Sequence, residues 1–217
     1  MSGSQFVLDL GHRPALGAED FLVAPCNAAA VAWIDRWPAW PTPTLVIHGP
    51  RGAGKSHLAN VWRDRSGARP FVAGQAPDRA ATAPVMLEDA DRRVDEAALF
   101  HLYNLVAAHR TTLLITAQQP PARWSIALPD LRSRLVAAPA VAIEPPDDAL
   151  LGAVLAKQFR DRQLAIADGV IQYAVARMER SFDAARALVD ALDRAALAER
   201  RAVTVPLARK VLDAPGG

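Results

Sequence analysis

The stretch "GPRGAGKS", Gly49–Ser56, constrains the fold of this chain more than any other feature. It fits the pattern G-x-x-x-x-G-K-[ST] and stands between the β-branched run "TLVIH" and the segment "SHLANVWRD", which has helical spacing. In such a unit the glycines let backbone N–H groups turn toward phosphate oxygens, and the helix N-terminus adds positive potential. We therefore predict a nucleoside diphosphate or triphosphate site, in which Lys55 reaches the outer phosphates and Ser56 ligates Mg²⁺. Its predicted binding residues are Gly49, Gly52, Gly54, Lys55, Ser56 and the adjoining His57.

Apolar runs of strand length alternate with helical patterns from this loop as far as Pro145 and Pro146. Such alternation predicts an α/β fold, with a parallel sheet covered by helices on both faces. Beyond Pro146 every segment has helical spacing, so we expect a small all-helical domain there. The predicted organisation is an N-terminal segment and linker over 1–15, a P-loop domain over 16–146 and a helical domain over 147–213. The predicted strands are "TLVIHG", "RPFVAG", "PVMLED", "TTLLIT" and "AVAIEP".

Composition excludes several classes of function. The chain is 51% hydrophobic and 22% charged, as in globular proteins, and its formal charge of +2 lacks the basic excess of a stand-alone nucleic-acid binder. We therefore expect no direct sequence-specific DNA binding. A single cysteine, Cys26, excludes an internal disulfide. No stretch reaches the about 20 apolar residues that cross a bilayer, and the N-terminus lacks a signal-peptide pattern, so we expect a cytoplasmic protein without membrane contact.

Acidic residues follow the predicted strand in "VMLEDAD". A P-loop enzyme needs a carboxylate at the end of a neighbouring strand to hold Mg²⁺ and a residue that orients the attacking water. Glu88 and Asp89 are the candidates. Acidic residues at a strand end are also common in solvated turns, but beside a phosphate loop we favour the catalytic interpretation, with Glu88 sharing the Mg²⁺ with Ser56.

Several motifs together resemble one family. The P-loop, the acidic strand end and the stretches "TTLLITAQQPP", "LPDLRSRL" and "VAIEPP" are similar to the AAA+ module of the bacterial replication initiator DnaA and its shorter Hda relatives. The resemblance implies an AAA+ sheet followed by a helical lid, with ADP or ATP and Mg²⁺ as cofactors. The opening "AEDFLVAPCNAAAV" resembles the family's adenine-flanking segment, which assigns Leu22 and Val23 to the nucleotide.

Arg134 in "LRSRL" matches the family's arginine finger, a residue that acts on the nucleotide of a neighbouring subunit. The resemblance therefore implies that DnaA is the partner and that Arg134 promotes hydrolysis of the ATP held by DnaA. A short helix with arginines is also compatible with an ordinary solvated face.

The N-terminal stretch "QFVLDL" places large apolar residues on a chain end. It resembles the motif with which Hda proteins bind the β sliding clamp of DNA polymerase III. The implied clamp-binding residues are Gln5, Phe6, Leu8 and Leu10. In the alternative interpretation these side chains pack back on the protein's own sheet or mediate self-association, and homodimer formation stays open.

Three positions depart from the family pattern. Glu88 stands where the family usually has aspartate, and Gln118 and Gln119 replace an Asp-Arg pair. Asp183 aligns with the lid arginine that normally faces the outer phosphate, although Arg180 or Arg186 could replace that arginine. Because a carboxylate there would repel a γ-phosphate, we expect preference for a diphosphate and slow or absent turnover.

The expected function is that of a clamp-bound regulator of replication initiation. The chain ends after the predicted lid, whereas DnaA continues into a helix-turn-helix domain, which favours the Hda-type interpretation. The alternatives are an autonomous AAA+ ATPase or helicase-loader-like enzyme, and a truncated DnaA-like initiation factor.

Overall fold

A five-stranded parallel sheet forms the centre of the first part of the chain. The structure, a computed structural model, describes residues 22–72, 82–92, 95–199 and 201–213. The strand order is β2-β3-β4-β1-β5, and every described pair is parallel. The predicted α/β class is confirmed. The strands are β1 (Thr44–His48), β2 (Arg69–Pro70), β3 (Val85–Leu87), β4 (Leu113–Ala117) and β5 (Ala140–Ala142).

Strand β1 is central and lies between β4 and β5. Its apolar run Leu45–Ile47 is fully buried, as expected for a strand covered on both faces. The register pairs His48 with Ala117 of β4 and Ala142 of β5, so the carboxyl ends of three strands meet at one edge of the sheet. The phosphate loop begins at that edge.

Four described helices accompany this sheet: α1 (Ala28–Asp35), α2 (Lys55–Ser66), α3 (Glu96–Ala108) and α4 (Pro129–Ala137). Helix α3 begins after Asp95, whose carboxylate accepts a hydrogen bond from the Ala98 N–H and so caps the helix. A 3₁₀ turn over Pro121–Arg123, which the sequence did not predict, follows β4. The buried apolar cluster around β3, β4, α3 and α4 includes Leu99, Leu102, Ile115, Trp124 and Leu131.

The last third of the chain is helical, with α5 (Asp148–Asp161), α6 (Val170–Val175), α7 (Phe182–Glu199) and α8 (Val205–Leu212). Asp147 caps α5 by accepting from the Leu150 N–H. Helix α6 ends at Val175, and Ser181 then caps α7 by accepting from the Ala184 N–H. A single parallel bridge joins Ile166 to Val203 and was not predicted. The helical core includes Leu155, Phe159, Val189 and Leu207.

The described chain divides into two compact units. The first contains the chain up to Gly49 and Lys55–Ile143, and the second contains Pro50–Gly54 and the chain from Glu144 onward. The tip of the phosphate loop therefore belongs to the helical unit. Among the described residues, no helix has both the length and the hydropathy of a bilayer-spanning segment.

Candidate nucleotide-binding site

Gly49 begins the phosphate loop where β1 ends. Its N–H donates to the Ala117 carbonyl oxygen (3.2 Å), and the Ile143 N–H donates to the His48 carbonyl oxygen (2.7 Å). A Cβ atom at position 49 would lie 2.1 Å from the Ile143 carbonyl oxygen. Only glycine therefore fits at this first position of the phosphate loop.

Lys55 closes the loop on its other side. Its side chain is buried, and Nζ donates a hydrogen bond to the Gly49 carbonyl oxygen at 2.8 Å. This contact places the ammonium group across the loop, where the pattern requires a cation for phosphate. Ser56 and His57 follow in the first turn of α2 and are exposed, so the Ser56 hydroxyl is accessible as a metal ligand. These residues fit a nucleotide phosphate with Mg²⁺.

The loop tip is bonded to the start of α7 within the helical unit. The Phe182 N–H donates to the Gly52 carbonyl oxygen at 2.7 Å. A Cβ atom on Gly52 would lie 2.6 Å from the Ser181 Cβ, and one on Gly54 would lie 3.2 Å from the Phe182 ring. Both glycines have left-handed φ angles, 68° and 95°. Conformation thus favours glycine at both positions, and at Gly52 the close approach of Ser181 leaves no room for a side chain either.

Asp183 lies beside this tip. Its Cβ would be 3.4 Å from a Cβ on Gly52, and its side chain is exposed in the first turn of α7. Of the two arginines that could replace the lid arginine, Arg180 forms an ion pair with Asp148 (2.9 Å). Arg186 is exposed and forms no ion pair among the described residues. Of these three residues, the acidic Asp183 therefore lies nearest the loop tip.

The acidic loop after β3 is attached to the end of β4. The Asp89 N–H donates to Thr116 Oγ1 (3.2 Å), and the Ala90 N–H donates to the Thr116 carbonyl oxygen (2.9 Å). Asp89 adopts a left-handed φ of 51°, which aspartate tolerates. Glu88 and Asp89 are both exposed, and neither carboxylate has a partner in the described parts of the chain. Both acids thus follow the end of β3, whereas the predicted strand "PVMLED" extended through them.

Asp91 has a structural contact that the sequence analysis missed. Its Oδ2 accepts hydrogen bonds from the backbone N–H groups of Gln118 (2.8 Å) and Gln119 (2.9 Å). A carboxylate shared between two amides fixes the loop after β4 against the loop after β3. The stretch "EDAD" indicates only that Asp91 lies shortly after a strand end. No local signal in the sequence distinguishes a carboxylate that binds a metal from one that accepts hydrogen bonds from the backbone.

The segment before α1 holds the residues expected to flank the adenine. Asn27, which is 2% exposed, donates from Nδ2 to the Leu22 carbonyl oxygen (3.0 Å) and accepts from the Ala24 N–H (2.9 Å). Leu22 and Val23 are half-buried. The buried amide of Asn27 therefore fixes the backbone of the segment that precedes α1.

Arg134 does not extend freely from α4. Its Nη1 donates to Asn104 Oδ1 on α3, and its guanidinium carbon lies 5.1 Å from the Phe100 ring centroid and 5.6 Å from that of Tyr103. The neighbouring Arg132 is exposed and makes no side-chain contact with the described residues. The structure thus distinguishes two arginines that look alike in "LRSRL".

His48, the last residue of β1, has a pKa below its ordinary value. Burial is the main cause, and the positive charges of Arg123 and Lys55 lower the pKa further. A neutral imidazole therefore precedes the phosphate loop at neutral pH.

The predicted clamp-binding residues and the predicted metal ligands differ in whether the structure describes them. The clamp-binding residues Gln5, Phe6, Leu8 and Leu10 lie outside the described residues. Within the described ranges, no cluster of three His, Cys, Asp or Glu side chains could hold a metal on its own. The predicted Mg²⁺ site does not need such a cluster, because Mg²⁺ on a P-loop is held by few protein ligands together with phosphate oxygens.

Comparison with solved structures identifies the fold. Domain III of the DnaA protein from Thermotoga maritima matches with a TM-score of 0.78 at 17% identity, over 92% of this chain and 96% of that one. AMPPCP-bound DnaA from Aquifex aeolicus matches with a TM-score of 0.64 at 16% identity, over 84% and 68%. RuvB from Thermotoga maritima, a Holliday junction branch migration motor, matches with a TM-score of 0.63 at 15% identity, over 79% and 61%.

The parallel sheet and these neighbours show that the chain has the α/β fold of AAA+ proteins, with a phosphate loop between β1 and α2. Residues 148–212 match a family model described as the lid domain of Hda. The helical part of the chain thus resembles the Hda lid domain, and the fold resembles that of DnaA domain III, in agreement with the motifs.

Proposed function

We propose that the chain is a regulator of replication initiation that binds the sliding clamp through residues 5–10 and promotes ATP hydrolysis by DnaA. The observation that carries the proposal is the match of residues 148–212 to the Hda lid, on a fold shared with DnaA domain III. Such a protein acts in the cytoplasm, where the clamp and the initiator work. The proposal includes a nucleotide bound by this chain itself, with Mg²⁺ between the phosphates and the protein.

The phosphate loop supports nucleotide binding. Gly49 and Lys55 fit phosphate as described above, and Ser56 is accessible for Mg²⁺. Glu88 and Asp89 follow β3, and neither carboxylate has a partner within the described ranges. In the proposed site Glu88 assists Ser56 in holding Mg²⁺ and Asp89 is a candidate for orienting water, while Leu22 and Val23 flank the adenine.

The acidic residue beside the loop tip supports ADP as the resident nucleotide. Asp183 occupies the first turn of α7 next to Gly52, and its carboxylate adds negative charge near bound phosphates. A third phosphate raises this repulsion, so a diphosphate binds better. The same repulsion disfavours intrinsic turnover.

Arg134 is the proposed group that acts on the partner. An arginine supplied in trans stabilises the negative charge that develops during phosphoryl transfer and raises the rate by about 10³ to 10⁵. The arrangement allows this chain to stimulate hydrolysis by DnaA with little turnover of its own.

ATP hydrolysis by DnaA of the same organism tests the proposal. DnaA, clamp loaded on DNA and wild-type chain are mixed with radiolabelled ATP, and the conversion of DnaA-bound ATP to ADP is followed. We expect stimulation by the wild type, its loss in Arg134→Ala and its retention in Arg132→Ala, which removes the same charge from the same helix. Absence of stimulation by the wild type, with clamp present, would refute the proposed function.

Clamp binding is tested separately by calorimetry with the purified clamp. We expect micromolar binding by the wild type and loss in Gln5→Ala/Leu8→Ala. Unchanged binding by the double variant would exclude residues 5–10 as the clamp contact.

The second candidate function is an autonomous ATPase. The exposed Glu88 and Asp89 favour it, as does the fold shared with the motor RuvB. Steady turnover of ATP by the isolated chain, abolished by Lys55→Ala, would support this candidate over the regulator.

A further inference from the structure

Arg134 lies in a cage formed by one face of α3. We define the Arg134 cage as Phe100, Tyr103 and Asn104, the residues whose rings and side-chain amide contact the guanidinium. The arginine and the cage residues are 30 to 34 positions apart in sequence, so only the packing of α4 on α3 brings them together. The contact therefore belongs to the tertiary structure and not to the motif "LRSRL".

The cage fixes the arginine without neutralising it. Asn104 offers a neutral carbonyl oxygen to Nη1, and the two aromatic rings offer their electron-rich faces. No carboxylate pairs with Arg134 in the described parts of the chain, and Arg134 is half-buried. A guanidinium has five N–H donors, and the hydrogen bond to Asn104 occupies only one of its nitrogens, Nη1.

From this geometry we infer that Asn104 is a positioning residue for Arg134. A carboxylate would also fit at position 104, but the neutral amide keeps the positive charge of Arg134 available to a nucleotide held by the partner. The inference rests on the proposed function, since it assigns Arg134 to the partner's nucleotide. An arginine that is already ordered loses less rotamer freedom when it engages phosphate oxygens. An aspartate at position 104 would accept the same hydrogen bond but would pair with the charge.

Two substitutions separate these roles. Asn104→Ala removes the hydrogen bond and leaves the charge, whereas Asn104→Asp keeps the hydrogen bond and neutralises the charge. We expect Asn104→Ala to lower the maximal stimulated rate of DnaA ATP hydrolysis by about 3-fold to 10-fold, in line with the entropy of one ordered side chain. We expect Asn104→Asp to lower it at least as far while leaving thermal stability equal to or above that of the wild type.

Two quantities are measured. The first is the maximal rate of ATP hydrolysis by DnaA when this protein is saturating, and the second is the concentration of this protein that gives half of the maximal stimulation. Substitution of a positioning residue changes the maximal rate and leaves the half-maximal concentration unchanged. Substitution of a residue that only supports the docking surface changes the half-maximal concentration. Arg132→Ala is the matched control for charge on α4. As a measurement without the partner, ¹⁵N relaxation of Arg134 Nε in the full chain is expected to report an ordered side chain that becomes mobile in Asn104→Ala.

The outcomes distinguish the inference from the function on which it rests. Stimulation by both Asn104 variants at the wild-type rate, with Arg134→Ala inactive, would overturn the cage while leaving the proposed function intact. A wild-type rate in Asn104→Asp alone would overturn the requirement for a neutral partner. Mobile Arg134 Nε in the wild type would overturn the positioning role, whether or not DnaA is stimulated.

Discussion

Replacing Gly52 with alanine should destabilise the helical unit more than its backbone angle alone predicts. A left-handed φ of 68° costs an L-residue about 1–2 kcal/mol. The added Cβ would also lie 2.6 Å from the Ser181 Cβ, closer than real Cβ contacts come, so Ser181 or the loop has to shift. Such overpacking costs a further about 1–3 kcal/mol. The expected loss in free energy of unfolding is therefore about 2–5 kcal/mol, the sum of both contributions.

Gly67 offers a matched control for this variant. It follows α2 with a φ of 67°, but a Cβ on it would meet nothing within 4 Å. Gly67→Ala should therefore cost only the backbone contribution of about 1–2 kcal/mol. Urea unfolding of both variants followed by circular dichroism measures the two losses, each read from the transition of the unit that holds the residue. Equal losses in the two variants would refute the close approach of Ser181 to the loop tip.

Four further predictions concern the site. Lys55→Ala should weaken ADP binding at least tenfold in a fluorescent nucleotide titration, because a buried cation of the loop is lost; unchanged affinity would exclude this site. Asp183→Arg should raise the ATP-to-ADP affinity ratio about tenfold or more, because it removes one repulsion of the third phosphate and adds one attraction. Asp183→Asn should give about half of this free-energy change. Asp91→Ala should lower the free energy of unfolding by about 1–3 kcal/mol, because two amides lose their acceptor, while Asp91→Asn should lose less. The pKa of His48 is lowered in the folded state, so the unfolded state binds more protons and stability falls as pH drops through about 6.5, the unfolded value. His48→Gln should lose less stability than the wild type between pH 7.5 and 5.5, and an equal loss would contradict the effect of burial and Arg123.

The features that the sequence predicted depend on local patterns. The phosphate loop needs glycine and lysine at fixed offsets, and each apolar run of a buried strand lies within a few neighbouring residues. The α/β class therefore followed from the sequence. The extent of β2 did not, because "RPFVAG" reads as a longer strand than the Arg69–Pro70 pair that is found.

The features that the sequence did not predict depend on residues far apart in the chain. Asp91 contacts amides 27 and 28 residues away, and Arg134 contacts Asn104 across 30 residues. Ser181 approaches Gly52 across an even longer separation. No spacing rule applies to such pairs, since packing of whole elements brings them together. Periodicity could assign Arg134 to a helix but could not identify the helix that it faces.

The two-residue strand β2 has a consequence for solubility at high concentration. Among the described strands it lies at one end of the sheet and pairs with β3, so no described strand lies on its other side. Pro70 has no N–H to donate, and an arginine precedes it. A strand from another molecule would find few donors and a charged side chain at this edge, so open-ended addition of strands is disfavoured. The same two residues that make β2 a weak strand therefore protect a parallel sheet from aggregation through its edge.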